Sequence, residues 1–228
     1  YKGDNVKLVG QGAGRTAPRP SRCFIARTNA AIVAQAVELL AGGHKLHFAA
    51  TREDREGRFS PVQPYKFGEI EDVYHLWAGR GSGALRTPWL RQFVSYDELR
   101  EYADPADSGD DSAKKGGDAE LRAMVKLVES HKHDTPALLR SIDRASVAPE
   151  RATWSLSSAH RAKGKEWDNT VLGDDFLPLD NPEKVKELRD KMTKREFAEA
   201  VNLLYVAVTR SRAHTAFPAS STAFFSAN

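Results

Sequence analysis

The sequence is short of cysteine, of long apolar runs and of net charge, and each shortage excludes a class of protein. One cysteine, Cys23, leaves no internal disulfide framework and fits a reducing compartment. Its apolar neighbours mark it as a small buried hydrophobe. No apolar run reaches the roughly 18 residues that a membrane-spanning helix requires. The opening residues, Tyr1 to Asp4, carry neither an initiator Met nor an apolar signal core, so the chain is expected to be a piece cut from something larger. Lys and Arg number 34 against 31 Asp and Glu, a formal charge of only +3. Bulk electrostatics therefore neither demand nor exclude a nucleic acid, and any contact with one must come from local placement of charge. No internal repeat is present. What the chain does have is 40% apolar residues over 228 positions, enough to bury the core of one ordinary domain with a small insertion.

A phosphate-binding loop is also lacking. Gly10-Gln-Gly-Ala-Gly14-Arg15-Thr16 follows a short apolar run, Val6 to Val9, and invites that reading. A Walker A loop needs Gly, four residues, then Gly-Lys-Ser/Thr; here Val9 stands in the place of the first Gly and Arg15 in the place of the Lys. Residues 1–20 therefore read as a flexible Gly/Pro/Arg connector.

Cys23-Phe-Ile-Ala26 is a short unbroken apolar run of the kind that forms a buried parallel strand. Thr28 or Asn29 can cap the helix that follows, whose apolar face uses Ile32, Val33, Ala36, Val37 and Leu40, and Gly42-Gly43 ends it. His44 to Ala50 alternates, with Leu46, Phe48 and Ala50 on one face, and predicts a second strand. Strand, helix and strand in close succession imply a right-handed crossover and a parallel sheet. After a charged loop, Phe67, Ile70, Val73 or Tyr74, and Trp77 share one helical face. From Pro88 to Ala145 the pattern is helical throughout, with a Ser95-x-x-Glu98 capping box and with Thr135-Pro136 opening a further helix. The tract Asp104 to Asp118 has hardly an apolar side chain and reads as a mobile linker. Strand character returns at Trp154 to Leu156 and at Thr170 to Leu172. Asn181-Pro182 opens one charged helix, and Thr193-x-x-Glu196 opens another with Phe197, Ala200 or Val201, Leu204 and Val208 inward. His214 to Phe217 is the expected last strand.

Two stretches carry the chemistry. Ser157-Ser-Ala-His160-Arg-Ala-Lys163-Gly164-Lys-Glu166-Trp167-Asp168 reads as a strand leading into a ligand-bearing turn. Glu199-Ala-Val-Asn-Leu-Leu-Tyr205-Val-Ala-Val-Thr209-Arg210 reads as an amphipathic helix that ends in arginine. A guanidinium can neutralise phosphoryl oxygens with two parallel hydrogen bonds. Arg210 stands at the end of that helix, and Arg27 at the carboxyl end of the first strand, the edge of an open α/β sheet where ligands bind. Gly164 allows close backbone approach, and the Glu166 carboxylate can accept from a hydroxyl. Trp167 and Tyr205 are expected to pack in the core. Glu199 either orients Arg210 or caps a charged helix face.

Both stretches resemble, in the right order, motifs V and VI of the UvrD/Rep-type superfamily 1 DNA helicases, whose patterns run roughly T-x-H-x-A-K-G-L-E-[WF]-D and E-x-x-x-L-x-Y-V-A-[VI]-T-R-A. The resemblance implies an α/β fold, a RecA-like parallel sheet with flanking helices forming the second motor domain (2A) of an ATP-dependent DNA helicase or translocase. It implies that Arg27 and Arg210, in motifs IV and VI, are arginine fingers reaching one γ-phosphate. It assigns Gly164 and Glu166 to the nucleotide, and Ser157, His160 and Lys163 to single-stranded DNA, touched at phosphate or sugar. ATP and Mg2+ are the implied cofactors, both completed by a missing N-terminal RecA-like domain. The implied partners are single-stranded DNA and that domain. A monomeric fragment is expected, with no membrane contact, in the cytoplasm, nucleoid-associated in a bacterium or nuclear in a eukaryote, with DNA repair as the setting.

The chain departs from the pattern at Lys165, where Leu is usual, and at Ser157, which keeps the hydroxyl of the usual Thr. The division expected is a connector over 1–20, a discontinuous RecA-like domain over 21–78 and 151–228, and a helical insertion over 79–150 with its linker at 104–118. The short insertion and the run Phe67-Gly-Glu-Ile-Glu-Asp-Val73 look closer to the F-box DNA helicase branch. Asp174-Asp175 after a strand resembles a Walker B segment but, with no Walker A partner, reads as the strand after motif V. His131-Lys-His133-Asp134 reads as a solvated turn, and no metal site is assigned. Without Walker A and B the fragment alone is expected to be inactive. The alternatives are a non-catalytic helicase-fold module that binds nucleic acid or protein, and a motor fused to a nuclease.

Overall fold

The structure is a computed structural model and describes residues 21–104, 119–178 and 181–217. The connector expected over 1–20 and nearly all of the linker expected over 104–118 lie outside the described residues. The apolar run at Cys23 forms β1 (Arg22–Ala26), buried on both faces and therefore central. Around it stand β2 (Leu46–Phe48), β3 (Trp154–Ser158), β4 (Trp167–Leu172) and β5 (Ser211–Ala216) in the order β2-β3-β1-β4-β5. Every neighbouring pair is parallel, with Ile25 opposite Ser157 on one side and Leu172 on the other.

The two-residue period of β1 divides the core. Phe24 and Ala26 join one apolar cluster, and Cys23 and Ile25 join a second on the opposite face. The first face is covered by α1 (Asn29–Ala41), α2 (Phe67–Trp77), α3 (Tyr96–Ala103), α4 (Ala119–His131) and α5 (Thr135–Ala145). The helical segment expected as an insertion shares this core, since Leu90, Leu99, Leu121, Met124 and Ile142 are all fully buried in it. The second face is covered by α6 (Ala159–Ala162), α7 (Pro182–Lys191) and α8 (Lys194–Val208). The result is a five-stranded all-parallel sheet flanked by helices, consistent with a RecA-like fold.

Local chemistry accounts for the element ends. The Thr28 hydroxyl accepts from Ala31 N, so Thr28 and not Asn29 caps α1. α8 carries the full capping box: Glu196 N donates to the Thr193 hydroxyl, and Thr193 N donates to the Glu196 carboxylate. At α3 only half a box forms, because Glu98 receives Val94 N instead of Ser95 N. β2 is shorter than its alternation predicts: Ala50 adopts φ +65°, which turns the chain out of the sheet. β1 and β2 are not neighbours either, since β3 lies between them. Residues 88–92 form a 3-10 turn instead of an α-helix.

α8 buries Ala200, Leu203, Leu204 and Ala207 and leaves Tyr205 69% exposed. Tyr205 is therefore not the core residue expected, because the stripe facing the sheet is centred between Leu203 and Leu204. Trp167 does pack inward, and Cys23 is fully buried. Burial pushes the Cys23 thiol well above its ordinary range. Among the described residues no helix is long and apolar enough to cross a membrane.

Candidate functional site

In an all-parallel sheet every strand starts at one edge and ends at the other, so chain direction alone sorts the candidate residues. Arg27 and Thr28 follow β1, His160 lies in α6 just after β3, and Asp174-Asp175 follow β4; all are at the carboxyl edge. Glu166 directly precedes β4 and Arg210 directly precedes β5, both at the amino edge. Arg27 and Arg210 are thus at opposite edges. The structure does not bring them to one point, as a shared γ-phosphate would require.

The carboxyl edge holds a crevice at the topological switch point. After β1 the chain turns into α1 on one face, and after β4 it proceeds to α7 and α8 on the other. Ligands of open α/β sheets bind where the connections part in this way. The cleft there has a volume of about 540 Å³, and Arg27, Arg122, His160, Asp175 and Glu199 are among its lining. Asp175 shapes it: its carboxylate accepts from Arg27 N at 2.9 Å, Thr28 N at 2.7 Å and the Thr28 hydroxyl at 2.9 Å. Burial nevertheless raises the Asp175 carboxyl above its ordinary pKa, outweighing those three donors, which favour the charged form. The Arg27 guanidinium has no hydrogen-bond or ion-pair partner among the described residues, and Arg27 is one of the residues lining the cleft. The exposed His160 ring lies 3.9 Å from the Glu199 carboxylate. Glu199 is therefore beside His160 and not beside Arg210.

Deeper at the same edge, Tyr65 is fully buried and donates to the carbonyls of Ala49 and Leu156. Arg161 stacks 5.2 Å over the Tyr65 ring and donates to the Pro64 carbonyl. Ser157, expected at the nucleic acid, is fully buried within β3, and its hydroxyl donates to the Ser158 carbonyl. It has no surface to offer a ligand in this conformation.

The amino edge joins two stretches far apart in sequence. Trp167 N donates to the Arg210 carbonyl at 3.0 Å, where β4 and β5 begin. The Arg210 guanidinium reaches three neutral acceptors: the carbonyls of Val206 at 3.0 Å and Lys165 at 3.3 Å, and the Thr209 hydroxyl at 2.9 Å. No carboxylate pairs with it among the described residues, so it is oriented yet uncompensated. Beside it, Gly164 has φ +78° and is exposed, and a methyl group there would meet nothing within 4 Å. Glu166 and Lys163 are exposed on the same turn. Asp168 steadies this edge by accepting from Ser21 N and the Ser21 hydroxyl and by pairing with Arg212 at 2.9 Å. The Ser21 N–H, ahead of the arginine, holds the Asp168 carboxyl below its ordinary range.

An open turn with a left-handed glycine, an exposed carboxylate and an unpaired guanidinium fits one side of a nucleotide: a hydroxyl acceptor and a phosphate donor without an enclosing loop. No group of three or more His, Cys, Asp and Glu arranged to hold a metal occurs among the described residues. His133, weighed above as a ligand, lies edge-on against Trp77 with ring centroids 4.8 Å apart. Sequence reasoning missed Asp175 as a structural part of the crevice. Its signal was an acidic pair directly after a buried strand, at the edge where ligands bind.

The chain is similar to curated proteins that include two F-box DNA helicases. Over 107 residues, 45% of the chain, it is 33% identical to F-box DNA helicase 1 of Gallus gallus, covering 10% of that protein. Over 57 residues, 25% of the chain, it is 40% identical to F-box DNA helicase protein 1 of Schizosaccharomyces pombe (strain 972 / ATCC 24843), covering 6% of it. The chain thus spans a tenth or less of the length of these relatives. No protein-family model matches it.

Proposed function

We propose that the chain is the second RecA-like motor domain, of the UvrD-like superfamily 1 type, of an ATP-dependent DNA helicase. The observation that carries this reading is the amino-edge junction, where the Arg210 guanidinium meets the Lys165 carbonyl beside Gly164 and Glu166. Similarity to two proteins named as DNA helicases, both from eukaryotes, supports it and is compatible with a nuclear setting. The described part of residues 79–150 is a helical elaboration of this domain, fused to the core of its first face.

Each edge has its own ligand. Arg210, Gly164 and Glu166 take the nucleotide that a second RecA-like domain of the same protein holds by its triphosphate and Mg2+. ATP supplies a phosphoryl group whose loose transition state spreads charge over the γ-oxygens. Arg210 neutralises that charge, Gly164 lets the backbone approach, and Glu166 accepts from a ribose hydroxyl. Arg27 and His160 belong instead to the carboxyl-edge crevice and contact the backbone of single-stranded DNA. Such contacts are phosphate contacts and carry no sequence information. α8 spans the two edges, from Glu199 beside His160 to Arg210, and provides a rigid link between strand and nucleotide.

The test uses the full-length protein. Arg210→Ala should lower ATP turnover on the order of a thousandfold, as loss of an arginine finger does, with oligothymidylate affinity within about twofold of the wild type. Loss of oligothymidylate binding with turnover intact would assign Arg210 to the other ligand and refute the reading.

A further inference from the structure

The switch-point crevice is not built by the sheet alone. One wall is the first turn of α4, which contributes Ala119, Glu120 and Arg122. Glu120 fixes this wall to the sheet: both of its carboxylate oxygens accept from Asn29 N, at 3.0 and 2.9 Å. The amino-terminal turns of α1 and α4 are thereby held together, while Asp175 holds the two residues before Asn29. The acids of the cleft are thus largely engaged. Asp175 and Glu120 face backbone N–H groups, and Glu196 serves the capping box of α8. Among the cations of the cleft, Lys191 pairs with Glu187 and His160 lies beside Glu199, which leaves the two arginines. Arg122 is exposed, and its guanidinium, like that of Arg27, has no hydrogen-bond or ion-pair partner among the described residues.

We propose that Arg122 is a further nucleic-acid contact, binding a phosphodiester of the strand that passes Arg27 and His160, and that Glu120 is the positioning residue that brings it there. The helical segment then completes the strand's path. This inference rests on the reading of the carboxyl-edge crevice as the DNA side. The anchored helix fixes the base from which the Arg122 side chain reaches the strand, and its planar guanidinium can grip a phosphate with two parallel hydrogen bonds.

The experiment is fluorescence anisotropy of labelled oligothymidylate with the full-length protein across a salt series, beside ATP turnover at saturating oligothymidylate. Arg122→Ala should weaken binding roughly 5- to 10-fold and flatten the slope of log affinity against log salt by about 0.7, the loss of one single-strand phosphate contact. Arg122→Lys should keep the slope, and turnover at saturation should not change. Glu120→Ala should weaken binding similarly, and Glu120→Gln should restore most of it because the amide oxygen still accepts from Asn29. Unchanged affinity and slope in Arg122→Ala, while Arg27→Ala and His160→Ala weaken binding, would overturn the inference and leave the reading of the crevice intact. Unchanged binding in all three would overturn that reading as well.

Discussion

Removing the Asp175 carboxylate should loosen the turn that presents Arg27. Asp175→Ala deletes three hydrogen bonds from Arg27 N, Thr28 N and the Thr28 hydroxyl and strands two backbone donors at the end of β1. Each bond to a charged acceptor contributes roughly 1.5–3 kcal/mol, and desolvation of the carboxylate cancels part of the sum, leaving a cost of about 3 kcal/mol near neutral pH. At roughly 2–4 °C per kcal/mol for a chain of this size, Tm should fall by roughly 6–12 °C. The pH dependence has an unusual sign. Burial raises the folded-state pKa of Asp175, so the folded chain holds this proton more tightly than the unfolded one. The corresponding stability is present below the ordinary carboxylate pKa of about 3.9 and is lost as pH rises through the raised value. The stability gap between wild type and Asp175→Ala should therefore widen as pH falls through that window. Urea unfolding followed by circular dichroism at several pH values measures it. A Tm change below about 2 °C, or a gap that narrows on acidification, would refute the reasoning.

Other substitutions probe separate parts of the account. Tyr65→Phe removes the hydroxyl that serves the Ala49 and Leu156 carbonyls and should cost about 1–3 kcal/mol in urea unfolding. Gly164→Ala meets no steric obstacle and acts only through its left-handed backbone, costing roughly 1–2 kcal/mol of local stability. In the full-length protein it should raise the ATP concentration needed for half-maximal turnover without altering oligothymidylate affinity, a split that steady-state kinetics and anisotropy read together.

Much of the fold was legible because its strongest signals are local. The apolar run at Cys23, the Thr28 cap, the Thr193/Glu196 box and the helical periodicities all report on neighbouring residues. β5 was less legible. It is an edge strand of mostly exposed residues, Ser211–Ala216, with no apolar alternation to mark its start. The four-residue α6 was missed for a similar reason, being too short for a period. Tyr205 was misplaced because Ala200 and Val201 were equal candidates for the inner face, and only packing against the sheet chose Ala200.

The site shows the same division. The motif resemblance assigned Gly164, Glu166 and Arg210 to one nucleotide, and the three do share one edge. Both arginines were read correctly as standing at element ends, but the edge each end faces depends on direction. Between two parallel neighbours a connecting helix must return against the strands. The end of α8 therefore faces the amino edge, whereas the end of β1 faces the carboxyl edge. Burial of Ser157 follows from the central position of β3 between β2 and β1, a long-range pairing that no local pattern reports.

The central claim is that the two edges serve different ligands. The direct test is a paired comparison in the full-length protein: ATP turnover at saturating oligothymidylate and oligothymidylate affinity, each measured for wild type, Arg27→Ala and Arg210→Ala. The account predicts a crossed result, with Arg210→Ala losing turnover and keeping affinity, and Arg27→Ala losing affinity and keeping turnover at saturation. Equal loss of turnover in both variants, with affinity unchanged in each, would put both arginines on one phosphate and contradict it.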